Sequence, residues 1–387
     1  MNRLRRIRRD ESGMSYVFIG MGMMAFLSAS MLAIDVGMLM TSRSQAQNAA
    51  DAGALAGATA LVFNDWNDRS ATGPAVTHAR NAALANPVMG TNVSVNASDI
   101  TFPPDPAGDF NRVRADVYRT SSRGNPVSTL IARFFGVQTA DIDATATAEA
   151  SPANAMNCVK PFTIPDKWTE KQTPGWDPND TYDAYDNKGV PLANPDIYVP
   201  AGQPGYTGYN MTTDRGTQLT IRAGTGNNIT PSFYFSLAIG GNAGGGTAGG
   251  DPYRWNIANC NTTYMHFGEL LTQEPGNMVG PTTQGAQDLY NQDPTAYWDS
   301  SCNCVKSPMR KSPRVFPIPL YDPIYYDSGK RNGRNADLKV ANWIGFFLED
   351  IQGNNIIGRI TPITGMLQAG AGPAPVGAFP VAIRLVK

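Results

Sequence analysis

At 387 residues the chain exceeds the ordinary single domain and predicts two folded parts. Charged residues are only 16% of it, against roughly 25% in ordinary soluble domains, while 39 glycines and 29 prolines favour strands, turns and long loops over a helical enzyme core. The formal net charge of -1 offers no global attraction for nucleic acid, so no nucleic-acid partner is expected.

The chain opens on MNRLRRIRR, with Arg3, Arg5, Arg6, Arg8 and Arg9 as a basic cytoplasmic tail over residues 1–13. Residues 14–34 then carry no charge. At a rise of ~1.5 Å per residue that stretch covers about 31 Å, enough for the hydrocarbon core of a bilayer. With the apolar residues that follow, the predicted transmembrane helix is 14–40. The arginines on its N-terminal side predict a cytoplasmic N-terminus and an exported remainder, in contact with inner-membrane lipid. The competing reading is a signal peptide cleaved near Ser28-Ala29-Ser30. Apolar residues continue past that point through MLAIDVGMLM and make the stretch too long for one.

Asp35 closes the apolar run, where its carboxylate can reach headgroups or water. Beyond it the alanines from Ala46 to Ala60 extend the helix, since alanine is the best helix former. Their small side chains suit close packing, against the chain's own sheet or against a neighbouring helix.

The frame of Asp35, Gln47, Asn48, Ala49, Ala50, Asp51, Ala52, Ala54, Leu55, Ala56 and Gly57 within IDVGMLMTSRSQAQNAADAGALAGATAL resembles the N-terminal segment of TadG-like proteins of the Flp (tight-adherence, Tad) pilus-assembly family. Gly53 departs from the alanine usual there, which predicts a looser turn. PGNMVGPTTQG and SPRVFPIPLYDP resemble segments of longer TadG-related proteins. The resemblance implies a structural or assembly role, adhesion, and partners among other Tad envelope proteins. It makes Asp35, Gln47, Asn48, Ala50, Asp51, Ala54 and Gly57 the residues of helix packing. A von Willebrand factor A domain occurs in some relatives, but its Asp-x-Ser-x-Ser metal motif is missing from this sequence.

Residues 41–150 predict a small α+β region, pilin-like by analogy of fold: a helix over 72–87, strands within 91–102 and 110–120, a helix over 126–137, and an alternating strand over 140–150. Residues 151–157 read as a linker. Residues 158–387 predict an exported, mostly β, loop-rich domain, so the fold class is α+β.

The four cysteines, Cys158, Cys260, Cys302 and Cys304, are an even number in an exported region and predict two disulfides. The single residue between Cys302 and Cys304 argues for pairing each with Cys158 or Cys260. A zinc site finds little support, with only His78 and His266 beside them and no CxxC spacing.

No residue set predicts catalysis, a metal or a cofactor, and the chain reads as a non-enzyme. GGNAGGGTAGG, residues 240–250, lacks the Gly-Lys-Ser/Thr ending of a phosphate loop and no helical pattern follows it, so it reads as a surface loop. Asp177, Asp180, Asp183 and Asp186, three apart, do not match the one-in-two spacing of an EF-hand and read as a solvated acidic loop. His266, three residues before Glu269, reads as an ordinary histidine on a strand. A secreted β-rich protein binding a glycan or ion is the alternative to the assembly role.

Overall fold

The structure is a computed structural model that describes residues 12–172, 175–186, 188–224, 228–240, 248–309, 311–331 and 337–386. The five N-terminal arginines lie outside the described residues. Two compact units emerge. The first takes the N-terminal helix as far as Ala60, residues Asp68–Glu149 and the chain's end from Leu385; the second takes Leu61–Asn67 and Ala150–Arg384.

In the first unit, helix α1 runs unbroken from Ser12 to Phe63, 52 residues. It is the one helix among the described residues long and apolar enough to cross a membrane. Helix α2 (Pro74–Leu84) starts with proline at its first turn, where the missing N–H costs nothing. Strands β1 (Ile100–Thr101), β2 (Arg112–Arg119) and β5 (Ile142–Pro152) form an antiparallel sheet. Between β2 and β5 comes a short hairpin of β3 (Val127–Ser128) and β4 (Thr139–Ala140). Alternation decides the faces of β2: Val113, Ala115 and Val117 are buried while Arg114 is exposed.

Two local expectations change here. The segment over 126–137 is the β3–β4 hairpin with one 3-10 turn, Ala132–Phe135, at its tip, and not an α-helix. Its apolar residues mimic helical spacing, yet Gly136 takes φ 91° and closes the turn after four residues. Residues 151–157 are not an open linker: β5 continues to Pro152, and β6 (Ala155–Met156) pairs with β10 (Met265–His266).

The second unit is built on β7 (Phe162–Pro165), β8 (Gln218–Ala223), β9 (Phe233–Ser236), β11 (Leu270–Leu271), β14 (Val315–Tyr321), β15 (Leu338–Gln352) and β16 (Asn355–Thr361). Their order is β11–β15–β14–β7–β9–β8–β16, and β15 also pairs with β16. The ring therefore closes into a barrel, with β11 outside it. Closure needs close backbone approach, which glycine alone permits. A Cβ on Gly345 would meet the Thr361 carbonyl oxygen at 2.2 Å, and one on Gly358 the Phe346 ring at 2.3 Å. Phe162, Ile164, Leu219, Ile221, Ile344 and Phe346 are among the residues that fill the interior.

Helices α3 (Gly250–Ala258) and α4 (Val279–Asn291) contribute Tyr253, Ile257, Ala286 and Leu289 to the same core. A hairpin of β12 (Tyr297–Asp299) and β13 (Cys304–Lys306), helix α5 (Pro323–Arg331) and the last strand, β17 (Val381–Val386), complete the elements. The whole is α+β: a long apolar helix, a small sheet and a mostly β, loop-rich domain.

Candidate functional site

The residues singled out on α1 divide between two structural roles. Ala46, Ala49, Ala50, Ala54 and Ala58 are fully or almost fully buried, and Gly53 and Gly57 are buried with them. Positions 46, 50, 53, 54, 57 and 58 recur every three or four residues, so they form one face of the helix. That face lies on α2 and β2. An added Cβ at Gly57 would fall 2.7 Å from Val113 Cγ1 and 3.1 Å from Ala79 Cβ; at Gly53 it would fall 3.2 Å from Ala115 Cβ, Ala83 Cβ and the Ala79 carbonyl oxygen. From α2, Ala75, Ala79 and Ala83, spaced by four, face this crossing.

Gly53 is therefore a close-contact position and not a loosened turn. Ala50 and Ala54, for which the sequence leaves open the chain's own sheet or a neighbouring helix, are buried in their own unit. An antiparallel sheet with one apolar face has to be covered, and a stripe of small residues allows the helix to lie closest to it. Gln47 and Asn48 are exposed, and Asp51 is half-buried. Gln47 Nε2 donates to Asp51 Oδ1 at 2.8 Å and to the Thr145 carbonyl at 3.2 Å, a polar seam beside the apolar one.

Asp35 has a role that sequence reasoning missed. Its carboxylate is buried, 3% exposed, and accepts the backbone N–H groups of Leu130, Ile131 and Ala132 at 2.8, 2.9 and 2.5 Å. These are orphan donors at the start of the 3-10 turn Ala132–Phe135, so an acid on one element caps another. No local pattern signals this, because the partner is about 95 residues away. The base of the hairpin is fixed separately. Arg119 is buried and donates to the carbonyls of Val88, Thr91, Asn125 and Pro126, while Asp141 accepts the N–H and Oγ–H of Ser121.

In the second unit the cysteines pair as Cys158–Cys260 and Cys302–Cys304, which overturns the expected pairing. Asn303 between the latter pair has φ 51°, a left-handed conformation that asparagine tolerates, and the two Cα atoms stand 5.2 Å apart, within the ordinary range. Arg215 Nε donates to the Asn303 carbonyl, and Asn303 Nδ2 donates back to the Arg215 carbonyl, which holds the turn. Cys158–Cys260 instead joins the segment before β7 to the residues just past α3.

The chemistry-bearing groups of this unit are engaged structurally. Asp166 accepts Tyr198 Oη–H and Tyr206 Oη–H at 3.1 Å and the Tyr209 and Lys167 N–H groups at 3.2 and 2.9 Å. Burial nevertheless pushes its pKa up to about 7. Asn342 extends this network by donating to Tyr206 Oη and the Gly377 carbonyl. Lys160, whose pKa burial lowers to about 7, donates to the Asn259 carbonyl at 2.7 Å beside a cleft of about 300 Å³. Arg314 is buried and donates to the carbonyls of Leu348, Asp293, Ala296 and Glu349, stacked 3.9 Å over the Tyr290 ring.

The other sequence candidates resolve individually. A helix does follow the glycine-rich loop, contrary to expectation: α3 begins at Gly250. Its start is already served by an anion, since the Gly249 N–H donates to the Glu274 carboxylate at 3.1 Å. Residues 241–247 of that loop lie outside the described residues. Of the spaced aspartates, Asp177, Asp180 and Asp186 each accept backbone N–H groups within their own turns, and the Asp183 N–H donates to Asp196. His266 Nε2 lies 2.7 Å from Gln368 Oε1, and its Nδ1 is 3.6 Å from Glu269 Oε2. Among the described residues no three His, Cys, Asp or Glu side chains gather as metal ligands would.

Comparison with known proteins adds one match. Residues 13–60 fit the family model of Tad, Flp pilus-assembly TadE/G-like. No curated protein and no solved structure matches the chain. The matched residues run along α1 through the apolar stretch, Asp35 and the alanine–glycine stripe that covers β2. On that match, the N-terminal helix of this chain is similar to the TadE/G-like segment of Flp pilus-assembly proteins.

Proposed function

We propose that this protein is a membrane-anchored structural or assembly component of a Tad/Flp-type pilus or related secretion machine, without enzymatic activity. The observation that carries the reading is the coincidence of the TadE/G-like match over residues 13–60 with the two-part helix α1. Its first half is apolar and exposed, as a lipid-facing span must be, and its second half is built into the folded unit. The arginines of the tail favour an N-terminus in the cytoplasm and a bulk exported across the inner membrane. Disulfides suit that compartment.

Partners are other Tad envelope or pilus-assembly proteins. Because the alanine face is occupied within the unit, the partner surface of α1 is its other side, where Asn48 and Thr59 are exposed. Adhesion follows from the same role.

The test is carbonate extraction of membranes followed by protease treatment of spheroplasts carrying a C-terminally tagged chain. A full-length band that resists extraction and is digested from outside is expected. A shortened, soluble exported band would replace this reading with that of a secreted β-rich binder.

A further inference from the structure

The tip of the β3–β4 hairpin exposes a cluster of large apolar side chains. Leu130, Phe134, Phe135 and Val137 lie within eight residues, and the two phenylalanines are 75% and 71% exposed. Isolated exposed apolar residues are ordinary, but a cluster of this kind asks for an occupant. What covers it follows from where it is held. Asp35 binds the N–H groups of Leu130, Ile131 and Ala132, and Asp35 is the first charge after the 21 uncharged residues 14–34. Those residues supply about the thickness of a hydrocarbon core. The tip is therefore fixed to α1 at the level where the span leaves the bilayer.

We propose that the loop 130–137 docks into the outer face of the same membrane that α1 crosses. Phe134, Phe135, Leu130 and Val137 enter the boundary between headgroups and acyl chains, and Arg133 reaches lipid phosphate. This rests on reading residues 14–34 as a membrane span. Two features suit the loop to that place. Six of its backbone N–H groups are paired: Phe134 N–H donates to Ile131 O, Gly136 N–H to Arg133 O and Val137 N–H to Ala132 O, besides the three donors taken by Asp35, and the Val137 carbonyl accepts Thr129 Oγ1–H. Apolar surroundings tolerate such a turn only when its polar groups are paired. Its one charge, Arg133, is exposed beside the Phe134 ring at 5.1 Å, the amphipathic combination favoured at an interface. Asp35 is then a positioning residue, spared lipid by the N–H groups it accepts. The docked loop gives the first unit a second attachment, which limits rotation about α1.

The experiment uses the full chain reconstituted in phosphatidylcholine–phosphatidylglycerol vesicles, with or without bromine on the acyl chains. Variants Phe134→Trp and Phe135→Trp are compared with the parent, and Phe26→Trp reports on the span. These replacements are aromatic for aromatic at exposed positions, so they leave the packing of the unit alone. The emission added by each of the two loop variants is expected to be blue-shifted and lost in brominated lipid, as is that added by the span variant. Quenching at position 26 with none at 134 or 135 overturns the docking while the span stands. Emission at all three positions indifferent to bromine overturns both.

Discussion

Asp35 Oδ2 accepts the N–H of Ala132 at 2.5 Å, joining two residues 97 apart in sequence. With the bonds to Leu130 and Ile131, one carboxylate caps the only turn in the β3–β4 hairpin tip. Hydrogen bonds to a charged acceptor contribute roughly 1.5–3 kcal/mol, so Asp35→Ala should speed amide exchange at residues 130–132 about 10- to 100-fold. Asp35→Asn, which keeps one acceptor, should fall between. Exchange unchanged in both variants would mean the turn is held by its own hydrogen bonds alone.

The buried alanine stripe makes a prediction about stability. Ala50→Leu and Ala54→Leu put a branched side chain into positions that have no free surface, and overpacking of this kind costs about 1–3 kcal/mol. The expected outcome is a lower midpoint of thermal unfolding for the first unit, with membrane insertion kept. Gly57→Val should behave alike, since its Cβ would press on Val113 Cγ1, and Val113→Ala should recover part of the loss. Wild-type unfolding of all three would remove the helix–sheet contact from the account.

The disulfides should contribute unequally. Cys158–Cys260 spans 102 residues, and a loop of that length is worth about 2–5 kcal/mol on closure. Cys302–Cys304 closes a ring of three residues, for which the same argument gives less than about 2 kcal/mol. Denaturant midpoints of Cys158→Ser/Cys260→Ser and Cys302→Ser/Cys304→Ser double variants would show the difference. Equal losses would contradict it.

Asp166 sets a pH dependence. Its pKa in the fold is raised from 3.8 to about 7 by burial, so between those values the folded chain holds a proton that the unfolded chain has released. The contribution of this group to stability is fully present below 3.8 and is lost as pH rises through about 7. Lys160, lowered from 10.5 to about 7, acts in the window between those values, where stability rises with pH because the unfolded chain holds a proton that the folded chain has released. In Asp166→Asn the decline of the unfolding midpoint between pH 4 and 7 should flatten, with the behaviour above pH 7 kept. A parent and variant falling in parallel would assign the dependence elsewhere.

What the sequence determined by itself was whatever repeats locally. The uncharged run of residues 14–34, the alanine periodicity beyond it and the alternation of Val113, Ala115 and Val117 each declare an element and a face. Hydrophobic periodicity acts over a few residues, so those elements were legible, and so was the α+β class. The tertiary structure decided the partners. Which surface the alanines meet, why Gly53 and Gly57 must lack a Cβ, and how Asn303 lets Cys302 reach Cys304 depend on atoms brought together only by folding. Asp35 shows both sides. Its position at the end of the apolar run is written in the chain, but its work, accepting three N–H groups from a turn about 95 residues on, exists only once the hairpin has closed against α1.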